Sequence, residues 1–182
     1  MLRVTSRLVL REFVPEDWPA VLAYQSEPEY LRYYHWTERT DDEVQAFIQR
    51  FIDWQHDDPR YRHQLAVTLQ ETGELIGNCG LRLEHPGALE GDIGYELAPA
   101  HWGNGYATEA ARSMVAFGFE ELRLHRIWAG CVAENVGSSR VMEKLGMQRE
   151  AHFRDKDWFK GRWWDAYIYA MLEQEWRQQQ HS

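Results

Sequence analysis

Residues 94–110 read GYELAPAHWGNGYATEA. The pattern predicts a strand that ends near Pro99, a short loop with two glycines, and a helix that begins at once. Glycine allows a tight turn and a close approach of the backbone to a ligand. The amides from Gly103 to Ala107 would then lack helical partners and lie at the positive end of the helix dipole. This arrangement predicts an anion site suited to a phosphate or pyrophosphate.

Several kinds of structure contain such a loop. A P-loop requires a lysine directly after its last glycine, and Tyr106 follows Gly105, which excludes that type. A dinucleotide-binding turn requires Gly or Ala where this chain has Thr108. Such a turn also lies between parallel strands, and the predicted hairpin upstream argues against that arrangement. The remaining alternatives are an acyl-CoA pyrophosphate loop and an ordinary tight turn between a strand and a helix.

The segments on either side of this loop alternate strand and helix patterns. Thr40-Asp41-Asp42-Glu43 has the composition of a capping box, and helix-spaced apolar residues follow it. Glu71-Thr72-Gly73-Glu74 has the composition of a hairpin turn. The predicted strands are Leu2–Phe13, His63–Gln70, Leu75–Glu84, Gly91–Leu97, His125–Ala133, Met147–Phe153 and Arg162–Leu172.

One predicted helix begins at Pro15 and a second follows Thr40. A third runs from about Ala107 to Leu122, and a fourth covers Ser138–Leu145 and ends at Gly146. This order predicts an α/β protein of the α+β type. Its central sheet is mixed and mainly antiparallel, with flanking helices.

Composition and charge limit the possible functions. The chain has 182 residues and no linker, so residues 1–182 are predicted to form a single domain. Its formal net charge is −9 and it has no basic stripe, which argues against nucleic-acid binding. No apolar run is long enough for a membrane span, and the first residues do not resemble a signal peptide. Two separated cysteines fit a reducing compartment, so we expect a cytoplasmic protein.

Several motifs together resemble the GNAT superfamily of acyl-CoA-dependent N-acyltransferases. Residues 101–110 are similar to its pyrophosphate motif, Gln/Arg-x-x-Gly-x-Gly/Ala, with Trp102 in place of Gln/Arg. Residues 102–110 and 133–147, WGNGYATEA and AENVGSSRVMEKLGM, look like the RimJ/RimL branch, the ribosomal-protein N-terminal acetyltransferases and their relatives. The opening TSRLVLR and the closing DAYIY also resemble that branch, so the similarity covers nearly the whole chain.

The resemblance implies a GNAT-like sheet that splays after its fourth strand, here Gly91–Leu97. It implies direct transfer of an acetyl group from acetyl-CoA, as co-substrate, to a primary amine of a protein N-terminus or a small molecule. An amide near Leu97 would polarise the thioester carbonyl. The implied cofactor-binding residues are Leu97, Trp102, Gly103, Asn104, Gly105, Tyr106, Ala107 and Asn135.

Two residues are candidates for catalysis. The attacking amine must lose a proton, and Glu96 is the candidate base because it lies beside the implied thioester position. The alternative for Glu96 is a solvated or salt-bridged strand residue; His101 is a weaker candidate because it precedes the loop. Many superfamily members protonate the leaving thiolate with a tyrosine where this chain has Met142. In the RimJ/RimL branch the proposed substitute is a serine, here Ser138, and helix capping is the alternative role for it.

The remaining features leave alternatives open. The histidines show no HxH or HxxxH spacing and no cysteine completes a zinc pattern, so no metal site is predicted. The aromatic clusters Tyr30–Trp36 and Trp158–Trp164 could line an acceptor cleft, or pack in the core or at a homodimer interface. The enzyme hypothesis has two rivals. One is a non-catalytic acyl-CoA-binding module, to which only Met142 points, and the other is a domain that binds ATP at the same helix terminus.

Overall fold

The computed structural model describes residues 1–180, which form eight strands, six α-helices and two short 3₁₀ helices, Pro15–Asp17 and Pro99–His101. The strands are β1 Leu2–Val4, β2 Leu8–Arg11, β3 Arg62–Leu69, β4 Leu75–Leu83, β5 Glu90–Leu97, β6 Arg126–Val132, β7 Gln148–Phe159 and β8 Arg162–Leu172. The helices are α1 Trp18–Gln25, α2 Pro28–Leu31, α3 Asp41–Trp54, α4 Tyr106–Glu120, α5 Val136–Leu145 and α6 Glu173–Gln180. None of these helices is long and apolar enough to cross a membrane.

All eight strands belong to one sheet, in the order β1-β2-β3-β4-β5-β6-β8-β7. Every neighbouring pair is antiparallel except β5 and β6. The parallel pairing of β5 with β6 covers only Glu90 to Asp92, so the sheet opens along the second half of β5. The predicted mixed, mainly antiparallel sheet is confirmed. The opening follows the predicted strand, although this strand is the fifth in the chain and not the fourth.

The strand count differs because the predicted first strand, Leu2–Phe13, is two strands. β1 and β2 pair with Leu2 opposite Arg11. The turn between them closes at Thr5, whose N–H donates to the Leu8 carbonyl at 2.9 Å and whose Oγ1 accepts from the Leu8 N–H at 3.1 Å. The residues on both sides of this turn have strand-like sequences, LRV and LVLR, so the hydrophobic pattern alone did not reveal the break.

The sheet separates two apolar clusters, one on each face. On β3, the buried Leu65 and Val67 belong to the cluster that packs against α4, and Ala66 belongs to the cluster of α1, α2 and α3. This alternation is expected for a strand that is covered on both sides. α3 begins at the predicted capping box, in which the Thr40 N–H donates to Glu43 Oε2 at 3.0 Å. Helices on both faces therefore fix the position of β5 and of the loop that follows it.

Two helices and part of one strand were not predicted. α2 is a single turn after α1, and α6 follows β8 directly. Trp176 on α6 is buried and stacks on Phe119 of α4, with ring centroids 6.0 Å apart. The strand predicted over Met147–Phe153 continues to Phe159, through bulges in its pairing with β8.

Candidate active site

The loop after β5 has a backbone conformation that favours glycine. Gly103 and Gly105 have φ angles of 78° and 80°, and Gly105 is the N-cap residue of α4. A residue with a side chain would be strained at either position. Trp102 fixes the start of the loop, because its indole N–H donates to the Leu97 carbonyl at 2.8 Å. After a 3₁₀ turn over Pro99–His101, the loop therefore leads into α4, which begins at Tyr106.

Backbone amides at the start of α4 lack helical partners. The first helical bond runs from the Glu109 N–H to the Gly105 carbonyl at 3.0 Å. The N–H groups of Tyr106, Ala107 and Thr108 have no carbonyl one turn earlier to bind. Gly105 offers no side chain to cap them. Open donors thus coincide with the positive end of the helix dipole, which is the arrangement that binds a phosphate group.

Arg7, which the sequence did not single out, also contacts this loop. Its Nη1 donates to the Asn104 carbonyl at 2.9 Å, and its guanidinium carbon lies 4.5 Å from the ring centroid of Tyr106. The Asn104 side chain donates to the carbonyls of His101 and Trp102, both at 3.2 Å, and so braces the loop. Arg7 belongs to the segment TSRLVLR, residues 5–11, which resembles the family. That resemblance implied no role for the arginine.

The second half of β5 presents backbone groups to the opening in the sheet. The Ala98 N–H donates to the Ile76 carbonyl at 2.8 Å, and Leu97 lies opposite Gly77. Because hydrogen bonding alternates along an antiparallel pair, the Leu97 N–H points away from β4 and toward the opening beside β6. The amide predicted to polarise a thioester therefore lies at the edge of this opening.

Glu96 lies on β5 beside Leu97, and neutral donors hold its carboxylate. The donors to Oε1 are the Tyr24 hydroxyl at 2.7 Å, the Gln25 amide at 2.8 Å and the Asn78 amide at 2.6 Å; those to Oε2 are the hydroxyls of Tyr30 at 2.5 Å and Tyr34 at 3.3 Å. Within residues 1–180, no Arg, Lys or His forms an ion pair with this group. The salt-bridge alternative for Glu96 is therefore wrong.

The phenols around Glu96 remain protonated. Burial raises the pKa of Tyr24, Tyr30 and Tyr34 well above the ordinary tyrosine value, and the charge of Glu96 raises it further. Tyr34 stacks between Tyr30 and Trp36, at centroid distances of 4.6 and 4.8 Å. Tyr30 is buried, whereas Tyr34 and Trp36 are partly exposed. The Tyr30–Trp36 cluster is thus core at one end and an aromatic wall at the other.

The tip of the β7–β8 hairpin packs against the segment that follows α2. The rings of Phe159 and His35 lie 4.5 Å apart, and Lys160 Nζ donates to the Leu31 carbonyl at 2.6 Å. Within the Trp158–Trp164 cluster, Phe159 and Trp164 are buried, whereas Trp158 and Trp163 are exposed. The tip of the hairpin therefore lies against α2 and the residues after it, which supply Tyr30 and Tyr34 to Glu96.

Ser138 lies in the first turn of α5, near β5. Its hydroxyl is 3.2 Å from the hydroxyl of Tyr95, which donates to the Ser138 carbonyl at 2.9 Å. The N-cap residue is Asn135, whose Oδ1 accepts from the Ser138 N–H at 3.1 Å, so α5 begins at Val136. The alternative that Ser138 caps the helix is therefore wrong. Met142 is fully buried, which removes position 142 from the cleft.

Within the described residues, neither His101 nor a cluster of metal-binding side chains joins the groups around Glu96. His101 Nε2 lies 3.2 Å from Glu74 Oε1 and makes no contact with Glu96. Among residues 1–180, no group of three or more His, Cys, Asp or Glu side chains is placed to hold a metal ion. Glu96 and the Leu97 amide thus lie on β5, the open end of α4 follows it, and Ser138 contacts Tyr95 of the same strand.

Comparison with known proteins points to one family. Residues 7–148 match the family model described as an acetyltransferase (GNAT) domain. The chain is 36% identical over 172 residues to the uncharacterized N-acetyltransferase YnaD of Bacillus subtilis (strain 168), which covers 94% of this chain and 97% of that protein.

Solved structures share the architecture. An acetyltransferase of the GNAT family from Bacillus anthracis is 34% identical, with a TM-score of 0.84, over 96% of this chain and 100% of that one. RimL, a ribosomal L7/L12 alpha-N-protein acetyltransferase solved with coenzyme A, has a TM-score of 0.82 at 18% identity, over 94% of this chain and 98% of that one. The RimL likeness shows a shared fold. The family model and the full-length relative go further, and this chain belongs to the GNAT family of acetyltransferases.

Proposed function

We propose that this protein transfers the acetyl group of acetyl-CoA to a primary amine by direct attack in a ternary complex. One observation carries the proposal: a single strand and the loop after it bring the required groups together. β5 carries Glu96 and the outward N–H of Leu97, and the open amides of α4 follow the loop. The enzyme is proposed to be cytoplasmic and similar in function to the RimJ/RimL branch.

The residues of the loop suit the phosphates of acetyl-CoA. The amides of Tyr106 and Ala107 would bind the pyrophosphate, with Gly103, Asn104 and Gly105 shaping the loop. Trp102 would hold the loop against the strand, and Asn135 would define the far side of the opening by capping α5. These contacts use backbone dipoles, which explains how a protein of net charge −9 could bind a polyanion.

The Leu97 N–H would stabilise the charge that develops on the thioester oxygen. A donor that is already oriented needs no rearrangement during the reaction. Removal of one such donor typically costs ~2.7–4 kcal/mol of transition-state stabilisation.

Glu96 would bind the amine and accept its proton. A carboxylate that lacks a cationic partner attracts an ammonium group, and the five donors keep its oxygens in place. Glu96 would first take one proton from the bound ammonium, directly or through water, which frees the lone pair of the nitrogen. As the neutral nitrogen attacks the thioester carbon, the C–N bond forms and the C–S bond breaks, and the second proton of the nitrogen passes to the departing thiolate. General base catalysis of this kind contributes roughly 10²–10⁴-fold in rate.

Ser138 would donate a hydrogen bond to the departing sulfur. Its hydroxyl lies in the first turn of α5, beside Tyr95 of β5. A thiol with a pKa near ~8.5 leaves readily without strong acid assistance, so this contribution is smaller than that of Glu96.

The test is release of free thiol from acetyl-CoA in the presence of a panel of primary amines. The panel holds peptides with free N-termini, polyamines and amino acids, since both a protein N-terminus and a small molecule are proposed acceptors. We expect thiol release that depends on one class of amine, together with the acetylated amine in the mass spectrum. A protein that binds acetyl-CoA tightly but acetylates no amine would instead be an acyl-CoA-binding module without turnover.

Size-exclusion chromatography of the same protein tests the proposed homodimer, which the exposed Trp158 and Trp163 would suit.

A further inference from the structure

We propose that Arg7, in the turn between β1 and β2, is a positioning residue that sets the affinity for acetyl-CoA by holding the pyrophosphate loop. This inference rests on the proposed use of acetyl-CoA. Arg7 is far from the loop in sequence and reaches it through contacts with α4. Arg7 would act on the shape of the loop and not on the chemical step.

Glu109, in the first turn of α4, ties the β1–β2 turn to the helix. Its Oε1 accepts from the Thr5 hydroxyl at 2.7 Å, the Ser6 hydroxyl at 3.0 Å and the Arg7 N–H at 2.9 Å. Its Oε2 accepts from Arg7 Nε at 2.7 Å and lies 2.6 Å from Nη2. The Glu109 side chain is only 15% exposed, so solvent competes little for these bonds. The turn and the first turn of α4 therefore form one unit.

From this anchor, the other edge of the same guanidinium binds the loop. Nη1 of Arg7 donates to the Asn104 carbonyl at 2.9 Å, while the group lies over the ring of Tyr106. A peptide bond is planar and trans, so the Gly105 N–H points opposite to the Asn104 carbonyl. The hydrogen bond from Arg7 therefore holds the Asn104 carbonyl, whose oxygen would repel phosphate if the carbonyl turned toward the site. It also fixes the direction of the amide that follows.

The effect depends on geometry because the charge of Arg7 is already neutralised by Glu109. Guanidinium is a rigid planar fork that can bind two acceptors on different edges, whereas an ammonium group is a point charge. Lysine at this position would keep the charge and could not hold Glu109 and Asn104 in the same arrangement. Replacement by lysine therefore separates the two explanations.

The experiment measures the Kd of acetyl-CoA by calorimetry for the wild type, Arg7→Lys, Arg7→Ala and the matched control Arg3→Ala. Arg3 lies on β1 and binds α4 farther along the helix, at Ser113 Oγ (3.0 Å), and also Oε1 of Glu121, the residue after the helix (2.7 Å). We expect roughly tenfold weaker binding for both Arg7 variants, the effect of one lost hydrogen bond and its geometry. Arg3→Ala should bind acetyl-CoA like the wild type.

A second readout separates loop geometry from general destabilisation. S-acetylpantetheine contains the thioester and lacks the phosphates. With an active acceptor amine, Arg7→Lys should raise the KM for acetyl-CoA and leave both kcat and the KM for S-acetylpantetheine unchanged.

The outcomes are distinct. Wild-type affinity in Arg7→Lys, or an equal loss in Arg3→Ala, would overturn the inference. An equal rise in KM for both thioesters would also overturn it. If Arg7→Ala does not fold, Arg7→Lys alone decides. If the wild type itself does not bind acetyl-CoA, the proposed function fails, which is a different result from tight binding that is insensitive to Arg7.

Discussion

The two sides of β5 use different atoms for their proposed chemistry. On the loop side the donors are backbone N–H groups, at Leu97 and at the start of α4. On the other side the central group is the Glu96 side chain, held by hydroxyls and amides from α1, α2 and the neighbouring strand. The loop side should therefore be sensitive to backbone conformation, and the Glu96 side to side-chain identity. It follows that cofactor binding and turnover can be disabled separately.

The largest expected effect is that of Gly105→Glu. A φ of 80° strains any residue with a side chain, and the new carboxylate would lie at the proposed pyrophosphate site. We expect no measurable binding of acetyl-CoA by calorimetry. Gly87→Glu is the matched control, because Gly87 has a φ of 81° and open space around it, in the connection between β4 and β5. Unchanged affinity in Gly105→Glu would refute the assignment of the loop.

Glu96→Gln should be the largest change on the other side of the strand. Glutamine keeps the shape of the side chain and cannot accept a proton from the amine. We expect kcat to fall roughly 10²–10⁴-fold with an unchanged Kd for acetyl-CoA. Glu90→Gln, at the other end of β5, is the control, since Glu90 pairs with Arg126 on the surface. A wild-type kcat would remove Glu96 from the mechanism, and a parallel loss of cofactor affinity would contradict the separation of the two sides.

The face of the sheet that carries α4 also has an acid-sensitive position. His63 on β3 is buried against Phe117 of α4, and neither of its ring nitrogens has a hydrogen-bond partner among residues 1–180. Burial, followed by the charge of Arg60, lowers the pKa of His63 from 6.5 to about 4. The unfolded chain therefore binds a proton below pH 6.5 that the folded protein does not accept until about pH 4.

This linkage predicts the sign of a stability difference. The free energy of unfolding falls as the pH drops from 6.5 toward 4, and His63→Leu removes this contribution. The variant should gain stability relative to the wild type by up to about 3 kcal/mol on acidification. Urea denaturation of both proteins at neutral and acid pH measures the difference. Acid loss through carboxylates is common to both proteins, so parallel curves would contradict the role of His63.

Tyr30→Phe should weaken the support of Glu96 without removing the carboxylate. Tyr30 donates to Glu96 Oε2 at 2.5 Å. Loss of one hydrogen bond to a charged group should lower kcat about tenfold, with an unchanged Kd for acetyl-CoA. Tyr33→Phe is the control, because the Tyr33 hydroxyl donates to the Glu134 carbonyl and not to Glu96. Equal kinetics for the two variants would mean that the phenols serve packing alone.

The smallest effect is expected for Ser138→Ala. A thiolate leaves readily, so loss of one hydrogen bond to sulfur should lower kcat by about tenfold or less. Ser139→Ala is the neighbouring control, since its hydroxyl donates to the Val136 carbonyl within α5. Steady-state kinetics at saturating acetyl-CoA compare the two. Indistinguishable kcat values would leave the departing thiolate without a side-chain partner.

The loop side was predictable from sequence because its groups are contiguous. The glycines, the start of α4 and the strand before them occupy one short stretch, and backbone donors need no particular side chain. The capping box at Thr40 was confirmed for the same reason. The donors to Glu96 could not be predicted, since Tyr24, Tyr30 and Asn78 meet only through packing of α1, α2 and β4.

The local sequence also could not assign a role where two nearby residues were equally suited to it. Asn135 and Ser138 are both good N-cap residues, and only the helix geometry shows that Asn135 takes that role. Tyr95 alternates with Glu96 on β5 and faces Ser138, a contact that requires α5 to pack beside the opening. Arg7, near the start of the chain, reaches the loop because it lies in the β1–β2 turn, which the hydrophobic pattern did not reveal.

The most direct test of the account is calorimetric titration of the wild-type protein with acetyl-CoA, with ATP and NAD as controls. We expect micromolar or tighter binding of acetyl-CoA and no binding of the two nucleotides. Folded protein that releases no heat with acetyl-CoA would contradict it, because the loop would then be only a tight turn between a strand and a helix. Binding of ATP in place of acetyl-CoA would assign the same helix terminus to a nucleotide.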